Sequence, residues 1–247
     1  MTKVAICITG LIRTFPKYHQ TIKKYLIDSF AGCGLDSEKP DIYLYLKKND
    51  SVHFNKYVTE TVDKNTIENM FKEYSIKQIE IVEDAIVSKR DVLSRIKNKK
   101  MYTGYFQTKI GNYENEPYLI LSRFLKASEN MKYCAESVMK KEMQYGKEYD
   151  YIIYCRPDVE FTKYVYNTNE ELIIPLGDHI DFGAILPRKH MELYLINPYY
   201  IYVENEINTF RRHEDVIYHC IGDRLKYRNL PKHEMKRLTG NAYVRRT

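Results

Sequence analysis

Short apolar runs alternate with helix-like segments along the first third of the chain. Three runs are rich in β-branched and aromatic residues: "KVAICI" at 3–8, "DIYLYL" at 41–46 and "QIEIV" at 78–82. The segments between them place apolar residues three and four positions apart, which is the spacing of one helix face. Strands that alternate with helices predict βαβ units, so we expect a parallel sheet covered by helices.

The second half of the chain continues this alternation. Apolar residues recur at helical spacing from Pro117 to about Tyr145, which predicts the longest helix, and Gly146 ends it. The stretch "YDYIIYCRPDVEF" at 149–161 then has the pattern of the next strand. Residues 84–116, between the two halves, are charged and irregular, and we interpret them as a long loop or flap.

The composition is that of a folded protein. Of the 247 residues, 44% are hydrophobic and 29% are charged, which excludes a disordered chain. This length fits one α/β domain over residues 1–247, and no linker or internal repeat divides it. The formal charge of +6 favours an anionic partner, but the basic residues are scattered, so we do not expect a nucleic-acid-binding protein.

Cysteine usage and hydropathy indicate a soluble protein of a reducing compartment. The five cysteines are far apart, and no pair has the two-residue spacing of zinc or dithiol sites. The N-terminus "MTKVAICITG" leads too directly into structured sequence for a signal peptide, and no apolar run approaches the ~18 residues of a spanning helix. We therefore expect a cytoplasmic protein without a transmembrane segment.

Polar residues follow the predicted strand of the "YDYIIYCRPDVEF" stretch at the point where it ends. Ligands of open α/β sheets bind beyond the carboxyl ends of the strands, and Arg156 and Asp158 occupy that position. Pro157 ends strand pairing and holds its two neighbours in an extended arrangement. An acid placed there can ligate a divalent cation that bridges the oxygens of a diphosphate. A simple surface ion pair between Arg156 and Asp158 is the alternative.

The turn after the first strand offers a second group of candidates. In "TGLIRTF", Thr9 and Gly10 allow close approach of backbone amides near a helix start, and Arg13 is a bidentate phosphate donor. The spacing is neither that of a dinucleotide fingerprint nor that of a P-loop. A plain turn at Gly10 is the alternative.

Two later segments carry further candidates. In "GDHIDFGAI", Asp178 or Asp181 could contact a sugar hydroxyl, and Gly183 would let the backbone approach a ligand. Glu214 and Asp215 stand where a helical pattern begins, and an acid there that points into the cleft could act as a general base. Acids in a first helical turn are also favoured by the helix dipole without any chemistry.

The order of these segments resembles a known family. A strand followed by "ITGLIRTF", then "YDYIIYCRPDVEF", then "DFGAI", then a late Glu-Asp before a helix, resembles nucleotide-diphospho-sugar glycosyltransferases of the GT-A fold. Small glycosyltransferases of large DNA viruses such as the chloroviruses, and bacterial relatives in surface-polysaccharide synthesis, are most similar. The resemblance covers most of the chain and implies a Rossmann-like, mixed but mostly parallel sheet flanked by helices.

The resemblance implies a metal site with one departure from the family. Where the family has Asp-x-Asp after a central strand, this chain has Arg156, Pro157 and Asp158. Asp158 is therefore the candidate ligand for Mn²⁺ or Mg²⁺, and Arg156 could neutralise the diphosphate instead of a metal. A late histidine that joins the metal in some members corresponds best to His233, with His219 as a rival.

The remaining roles also follow from the resemblance. Thr9, Gly10 and Arg13 would bind the nucleotide end of the donor. The family's Glu-Asp motif matches Glu214 and Asp215, whose Asp is the base in inverting members, and Asp181 is the next candidate for that base. Residues 1–83 would form the nucleotide-binding half, 84–116 the loop or flap, and 117–247 the metal-binding and acceptor-binding half.

The activity implied is that of a hexosyl- or pentosyltransferase. The donor would be a nucleoside diphosphate sugar, with UDP-xylose or a UDP-hexose as the expected case, and the acceptor an oligosaccharide or glycoprotein. The dense tyrosine cluster "INPYYIYVEN" at 196–205 fits acceptor binding, although core packing is the commoner use of such residues. For a viral protein the expected compartment is the host cytoplasm. A catalytically silent nucleotide-sugar-binding module is the alternative function.

Overall fold

The computed structural model describes most of the chain in ten ranges. These are residues 2–12, 15–36, 38–48, 62–83, 89–96, 117–165, 168–177, 179–204, 213–224 and 244–245. The strands are β1 (Val4–Leu11), β2 (Asp41–Lys48), β3 (Ser75–Glu83), β4 (Tyr151–Cys155), β5 (Glu160–Phe161), β6 (Ile174–Pro175), β7 (Gly183–Pro187) and β8 (Val244–Arg245). The α-helices are α1 (Phe15–Thr21), α2 (Lys64–Met70), α3 (Lys89–Arg95), α4 (Pro117–Tyr145), α5 (Asn197–Glu204) and α6 (His213–Ile221).

Six strands form one mixed sheet in the order β3-β2-β1-β4-β7-β6. β3, β2, β1 and β4 are parallel, whereas β7 is antiparallel to both of its neighbours. The order 3-2-1-4 is the beginning of a Rossmann-like sheet, and it places the reversal of strand order between β1 and β4. The predicted α/β class, with a mostly parallel sheet flanked by helices, is confirmed. Separately, β5 and β8 pair antiparallel in a two-stranded sheet.

The two faces of the sheet bury separate sets of side chains, as alternation along the strands requires. One face carries Ile6, Ile8 and Leu44 and packs on α1 and α2. The opposite face carries Cys7 and Tyr43 and packs on α4 and α6, so both faces are covered. A third cluster joins α3, α4, α5 and α6 through Val92, Leu121, Leu125, Tyr202 and Val216.

Two helical predictions need correction. The helix predicted after β1 is α1 only as far as Thr21, because a π-helical turn (Ile22–Ile27) and a 3-10 turn (Asp28–Phe30) complete it. The excursion 84–116 was expected to be irregular, but its described part contains α3, which buries Val92 and Ile96. The rest of that excursion lies outside the described residues. Further along the chain, α4 has the predicted bounds.

A buried carboxylate ties β2 and β3 together at the amino ends of the strands. Asp41 is fully buried and accepts hydrogen bonds from the hydroxyls of Tyr149 at 2.6 Å and Ser75 at 2.9 Å. Its Oδ1 atom lies 3.3 Å from Nζ of Lys77, which also pairs with the more exposed Asp36. A buried charge is stable only with partners of this kind, so Asp41 fixes this end of the sheet.

Each described cysteine carries a free thiol, and Cys7, Cys134 and Cys155 are buried. Within the described ranges, no helix is both long and apolar enough to cross a membrane.

Substitutions of the two acids that pair with Lys77 test how much Asp41 contributes to the free energy of unfolding. We expect Asp41→Asn to lower the free energy of unfolding by about 3 kcal/mol, because it leaves Lys77 without its buried partner. Asp36→Asn, at the exposed partner of the same lysine, should cost less than about 1 kcal/mol. Urea unfolding at neutral pH, followed by circular dichroism, measures both values. Equal losses would show that burial of Asp41 is unimportant.

Candidate active site

Arg156 links two carboxylates directly beyond the end of β4. Its Nε and Nη2 atoms donate to the two oxygens of Asp158 at 2.8 and 2.7 Å. Its Nη1 atom donates to Oδ2 of Asp181 at 3.1 Å. The guanidinium also lies over the ring of Phe182, 5.5 Å from its centroid. One cation therefore joins the end of β4 to the turn that precedes β7.

The charges of this network are stabilised mutually. Burial opposes the charged form of Arg156, but attraction to Asp158 and Asp181 outweighs it and raises the pKa of Arg156. The Asp158 side chain is 6% exposed and that of Asp181 is 13% exposed. Removal of the arginine would leave two largely buried carboxylates facing each other.

The backbone around Arg156 explains how the sequence builds this arrangement. The amide of Arg156 donates to the carbonyl of Phe182 at 3.0 Å, which continues the β4–β7 pairing by one residue. Gly10, at the end of β1, has φ of 141°, and a Cβ atom there would lie 2.9 Å from Cδ of Pro157. Only glycine allows both the conformation and the contact, so the ends of β1 and β4 pack closely.

A histidine and two carboxylates form a second group beside the arginine. Ligand atoms of His179, Asp181 and Glu214 all lie within 4.8 Å of one another. Nδ1 of His179 is 3.1 Å from Oε1 of Glu214, at the start of α6. The buried Oδ1 atom of Asp181 has no hydrogen-bond partner within the described part of the chain. A buried carboxylate oxygen without a partner is costly, which makes it a natural position for a cation.

The metal that the resemblance implies fits this group. One imidazole nitrogen and two carboxylates are donors that Mn²⁺ accepts, and Mg²⁺ prefers the oxygens. Within the described ranges, Asp158 and Asp181 both bond to the guanidinium of Arg156, and a carboxylate oxygen of Glu214 lies within 4.8 Å of one of Asp181, so three acids are gathered in one place. His179, Asp181 and Glu214 are therefore a possible metal-binding triad.

His213 precedes Glu214 and supports the start of α6 from inside. Its ring stacks on those of Phe124 and Tyr202, at centroid distances of 5.7 and 5.9 Å, and those two rings lie 6.4 Å from each other. The Tyr202 hydroxyl lies 3.1 Å from Nδ1 of His213. Burial lowers the pKa of His213 to about 4; Glu214 acts against this shift, and Arg156 adds to it. The imidazole is therefore neutral at physiological pH.

The structure brings some of the predicted site residues together. Gly10, Arg156, Asp158, Asp181 and Glu214 lie in the network just described, whereas Arg13, Asp178 and His233 lie outside the described residues. Thr9 is buried in β1, one residue before Gly10. Asp215 is partly exposed in the first turn of α6, and the rival His219 is exposed further along that helix.

For Gly183, the structure gives a reason different from the predicted one. A Cβ atom at this position would lie 2.7 Å from the carbonyl oxygen of Tyr154. The close approach that glycine allows in the structure is to the β4 backbone. A sugar-binding role of Gly183 stays a prediction.

Sequence reasoning missed His179. It stands two residues before Asp181 in "DHID", so a metal-type His-x-Asp spacing was present in a segment already singled out for its acids. The contact with Glu214 spans 35 residues of sequence and depends on the packing of α6, which no local pattern contains.

A second concave region lies at the other end of the strands, and its basic side chains are paired with acids. This cleft of about 520 Å³ is lined by Asp150, Arg188 and Lys189, among others. Glu142 binds Arg188 at 2.7 Å, and Glu171 binds Lys189 at 2.7 Å. The carboxyl edge, with its unpartnered oxygen and its reversal of strand order, is therefore the better candidate for chemistry.

Comparisons with known proteins add little to this geometry. No protein-family model and no curated protein matches the sequence. Among solved structures, the chain is similar to apo mouse xyloside xylosyltransferase 1, with a TM-score of 0.37 and 11% identity over 90% of this chain and 81% of that one. A TM-score of this size carries no argument about function, and nothing in the comparisons supports a viral origin.

The metal triad can be tested by direct binding. We expect the wild-type protein to bind Mn²⁺, and both Asp181→Asn and Glu214→Gln to weaken that binding by at least about tenfold, since each removes a charged ligand. Glu171→Gln, at an exposed acid paired with Lys189, is the matched control and should change nothing. Electron paramagnetic resonance of free Mn²⁺ during titration measures the affinity. Wild-type affinity in both site variants would exclude the triad.

Proposed function

We propose that this protein is a glycosyltransferase that moves a sugar from a nucleoside diphosphate sugar to a hydroxyl of a glycan. The observation that carries the proposal is the position of the charged network. Arg156, Asp158, Asp181 and Glu214 meet at the carboxyl edge beside the reversal between β1 and β4. In open α/β sheets that crevice is the usual place for a nucleotide. The sequence resemblance to the GT-A family supports the same conclusion.

Asp181 is the better metal-ligand candidate of the two acids around Arg156. Both oxygens of Asp158 accept hydrogen bonds from the guanidinium, while Oδ1 of Asp181 is buried and without a partner in the described ranges. His179 and Glu214 complete the set. When bound there, Mn²⁺ or Mg²⁺ would supply positive charge toward the departing diphosphate.

Arg156 acts in this proposal as a positioning residue. Its three donating nitrogens are already directed at Asp158 and Asp181, so it holds the second carboxylate in place from the side away from Oδ1. The flat guanidinium makes these bonds with fixed geometry, which a lysine could not reproduce. Direct neutralisation of the diphosphate by Arg156 would require it to leave a carboxylate.

In this proposal Asp215 is the general base that accepts the proton of the acceptor hydroxyl. This residue is partly buried in the first turn of α6, directly after Glu214. As the acceptor oxygen forms its bond to the anomeric carbon, the bond from that carbon to the diphosphate oxygen breaks, and the hydroxyl proton passes to the carboxylate. Attack on the face opposite the leaving group inverts the anomeric configuration. UDP-sugars, including UDP-xylose, are the expected donors.

The alternative function is a nucleotide-sugar-binding module without turnover. One observation favours it: Arg156 occupies both oxygens of Asp158, the acid that stands in the place of the family's metal motif. Such a module would bind a donor without cleaving it.

The two functions differ in the release of free nucleoside diphosphate from UDP-, GDP- and dTDP-sugars. We expect one donor to be cleaved in the presence of Mn²⁺ and not with EDTA. Asp181→Asn should lower kcat by at least about a hundredfold because it removes a metal ligand. Arg156→Lys should lower kcat as well, because Asp181 loses its fixed partner.

Glu171→Gln serves again as the control with unchanged turnover. Donor binding without any release, measured by calorimetry, would establish the silent module. Turnover that is indifferent to EDTA would remove the metal from the proposal. If no donor is bound or cleaved, the glycosyltransferase proposal is wrong.

A further inference from the structure

A group of tyrosines surrounds one lysine on the helical side of the sheet. This tyrosine patch consists of Tyr45, Lys132, Tyr133, Tyr199 and Tyr200. Nζ of Lys132 lies 5.0 Å from the ring centroid of Tyr133 and 5.1 Å from that of Tyr199. The rings of Tyr45 and Tyr133 are 5.5 Å apart at 30°, and those of Tyr199 and Tyr200 are 5.5 Å apart at 76°. The four rings and the lysine thus form one continuous surface.

The patch is open to solvent at its outer rings. Tyr133 is 38% exposed and Tyr200 is 42% exposed, whereas Tyr45 is 8% exposed and supports Tyr133 from below. A tyrosine held by neighbouring rings presents apolar area and a hydroxyl at a low cost in conformational entropy. A ligand with flat apolar faces and many hydroxyls matches such a surface.

The charges at the patch are paired. Lys132 forms an ion pair with Glu136 at 2.9 Å, and Glu129, one turn earlier on α4, pairs with Arg95 at 3.3 Å. The patch therefore offers little net charge to a polyanion, and binding of nucleic acid depends on an excess of positive charge. An uncharged oligosaccharide fits the surface better than an acidic polymer.

The patch lies along the elements that build the candidate active site. Tyr45 is in register with Thr9, whose successor Gly10 packs on Pro157. α5 carries Tyr199 and Tyr200, and it also carries Tyr202, whose hydroxyl meets His213 beside Glu214.

The long helix connects the same two places. Phe124 of α4 stacks on His213, and Lys132 follows it eight residues later, or about 12 Å along the helix. The patch thus begins about 12 Å along α4 from the contact of Phe124 with His213.

We propose that the tyrosine patch binds the uncharged oligosaccharide acceptor, through sugar units beyond the one that reacts. This inference rests on the proposed function, and it names the substrate class as a neutral glycan of several units. The rings of Tyr133 and Tyr200 stack on sugar faces, and Lys132 holds the rings in place from between Tyr133 and Tyr199. Single sugars would reach the reacting centre without the benefit of the patch.

Direct binding of glycans without a donor tests the inference. The probes are cellohexaose, xylohexaose and a sulfated heparin hexasaccharide, followed by saturation-transfer NMR and calorimetry. We expect a neutral hexasaccharide to bind, and Tyr200→Ala to weaken its binding by about tenfold. Tyr200→Phe keeps the ring and should retain most of the affinity.

Tyr164→Ala is the matched control, because Tyr164 is 37% exposed and pairs with Tyr25 at 5.2 Å on another part of the molecule. Its affinity for the glycan should equal that of the wild type. The inference is overturned if no neutral probe binds, if Tyr200→Ala binds as well as the wild type, or if only the sulfated probe binds.

The release of nucleoside diphosphate by hydrolysis of donor alone separates this inference from the proposed function. Tyr200→Ala should leave donor hydrolysis unchanged. Loss of glycan binding in Tyr200→Ala, in a protein that cleaves no donor, would keep the patch as a glycan site and refute the transferase.

Discussion

The pairing of Arg156 with Asp158 and Asp181 is the interaction on which the carboxyl edge of the sheet depends. Two largely buried acids are costly to place together without a cation between them, and the guanidinium bridges them with three donated hydrogen bonds. The same bonds fasten the turn before β7 to the end of β4. Asp181 also has a carboxylate oxygen within 4.8 Å of the ligand atoms of His179 and Glu214. Arg156 thus stabilises the fold at the carboxyl ends of the strands and also positions a candidate metal ligand.

The buried acids at the two ends of the strands differ in how completely they are hydrogen-bonded. At the amino ends, Asp41 has a partner for each oxygen among Tyr149, Ser75 and Lys77. At the carboxyl ends, one oxygen of Asp181 is left without a protein partner in the described ranges. The buried acid at the amino ends has all its hydrogen-bond partners, and the one at the carboxyl ends does not. This difference is a physical reason to assign a stabilising role to Asp41 and a functional role to Asp181.

Local patterns were sufficient for most of the fold. Apolar runs and helical spacing located β1, β2, β4 and α4, because each of these elements carries its own periodic signal. The π-helical turn after α1 has the same apolar spacing as an α-helix, and the short helix α3 offers a single four-residue step from Val92 to Ile96, so neither was predicted in its observed form. Tertiary packing decides elements of this kind, and a single sequence does not contain it.

The candidate site was predicted less completely than the fold. The strand-end position of Arg156 and Asp158 followed from the sequence pattern alone. Asp181 and Glu214 were also named from the sequence as candidate site residues. The ion pair between Arg156 and Asp158 was the alternative to a metal site in the sequence analysis, but the bond from Arg156 to Asp181 and the contact of His179 with Glu214 across 35 residues were not predicted. At Gly183 the structure shows a close approach to the carbonyl of Tyr154, whereas the predicted approach to a ligand stays a prediction.

Eight residues of the 29-residue helix α4 separate Phe124, which stacks on His213 beside the candidate active site, from Lys132 in the tyrosine patch. Phe124 holds its near part against His213, and the ring of Tyr133 rests on Tyr45 further along. Since an α-helix does not shorten, the separation of the two regions is fixed by the fold. A glycan that occupies both regions must span that separation. Under the proposed function, the protein would therefore favour long acceptor chains over short ones.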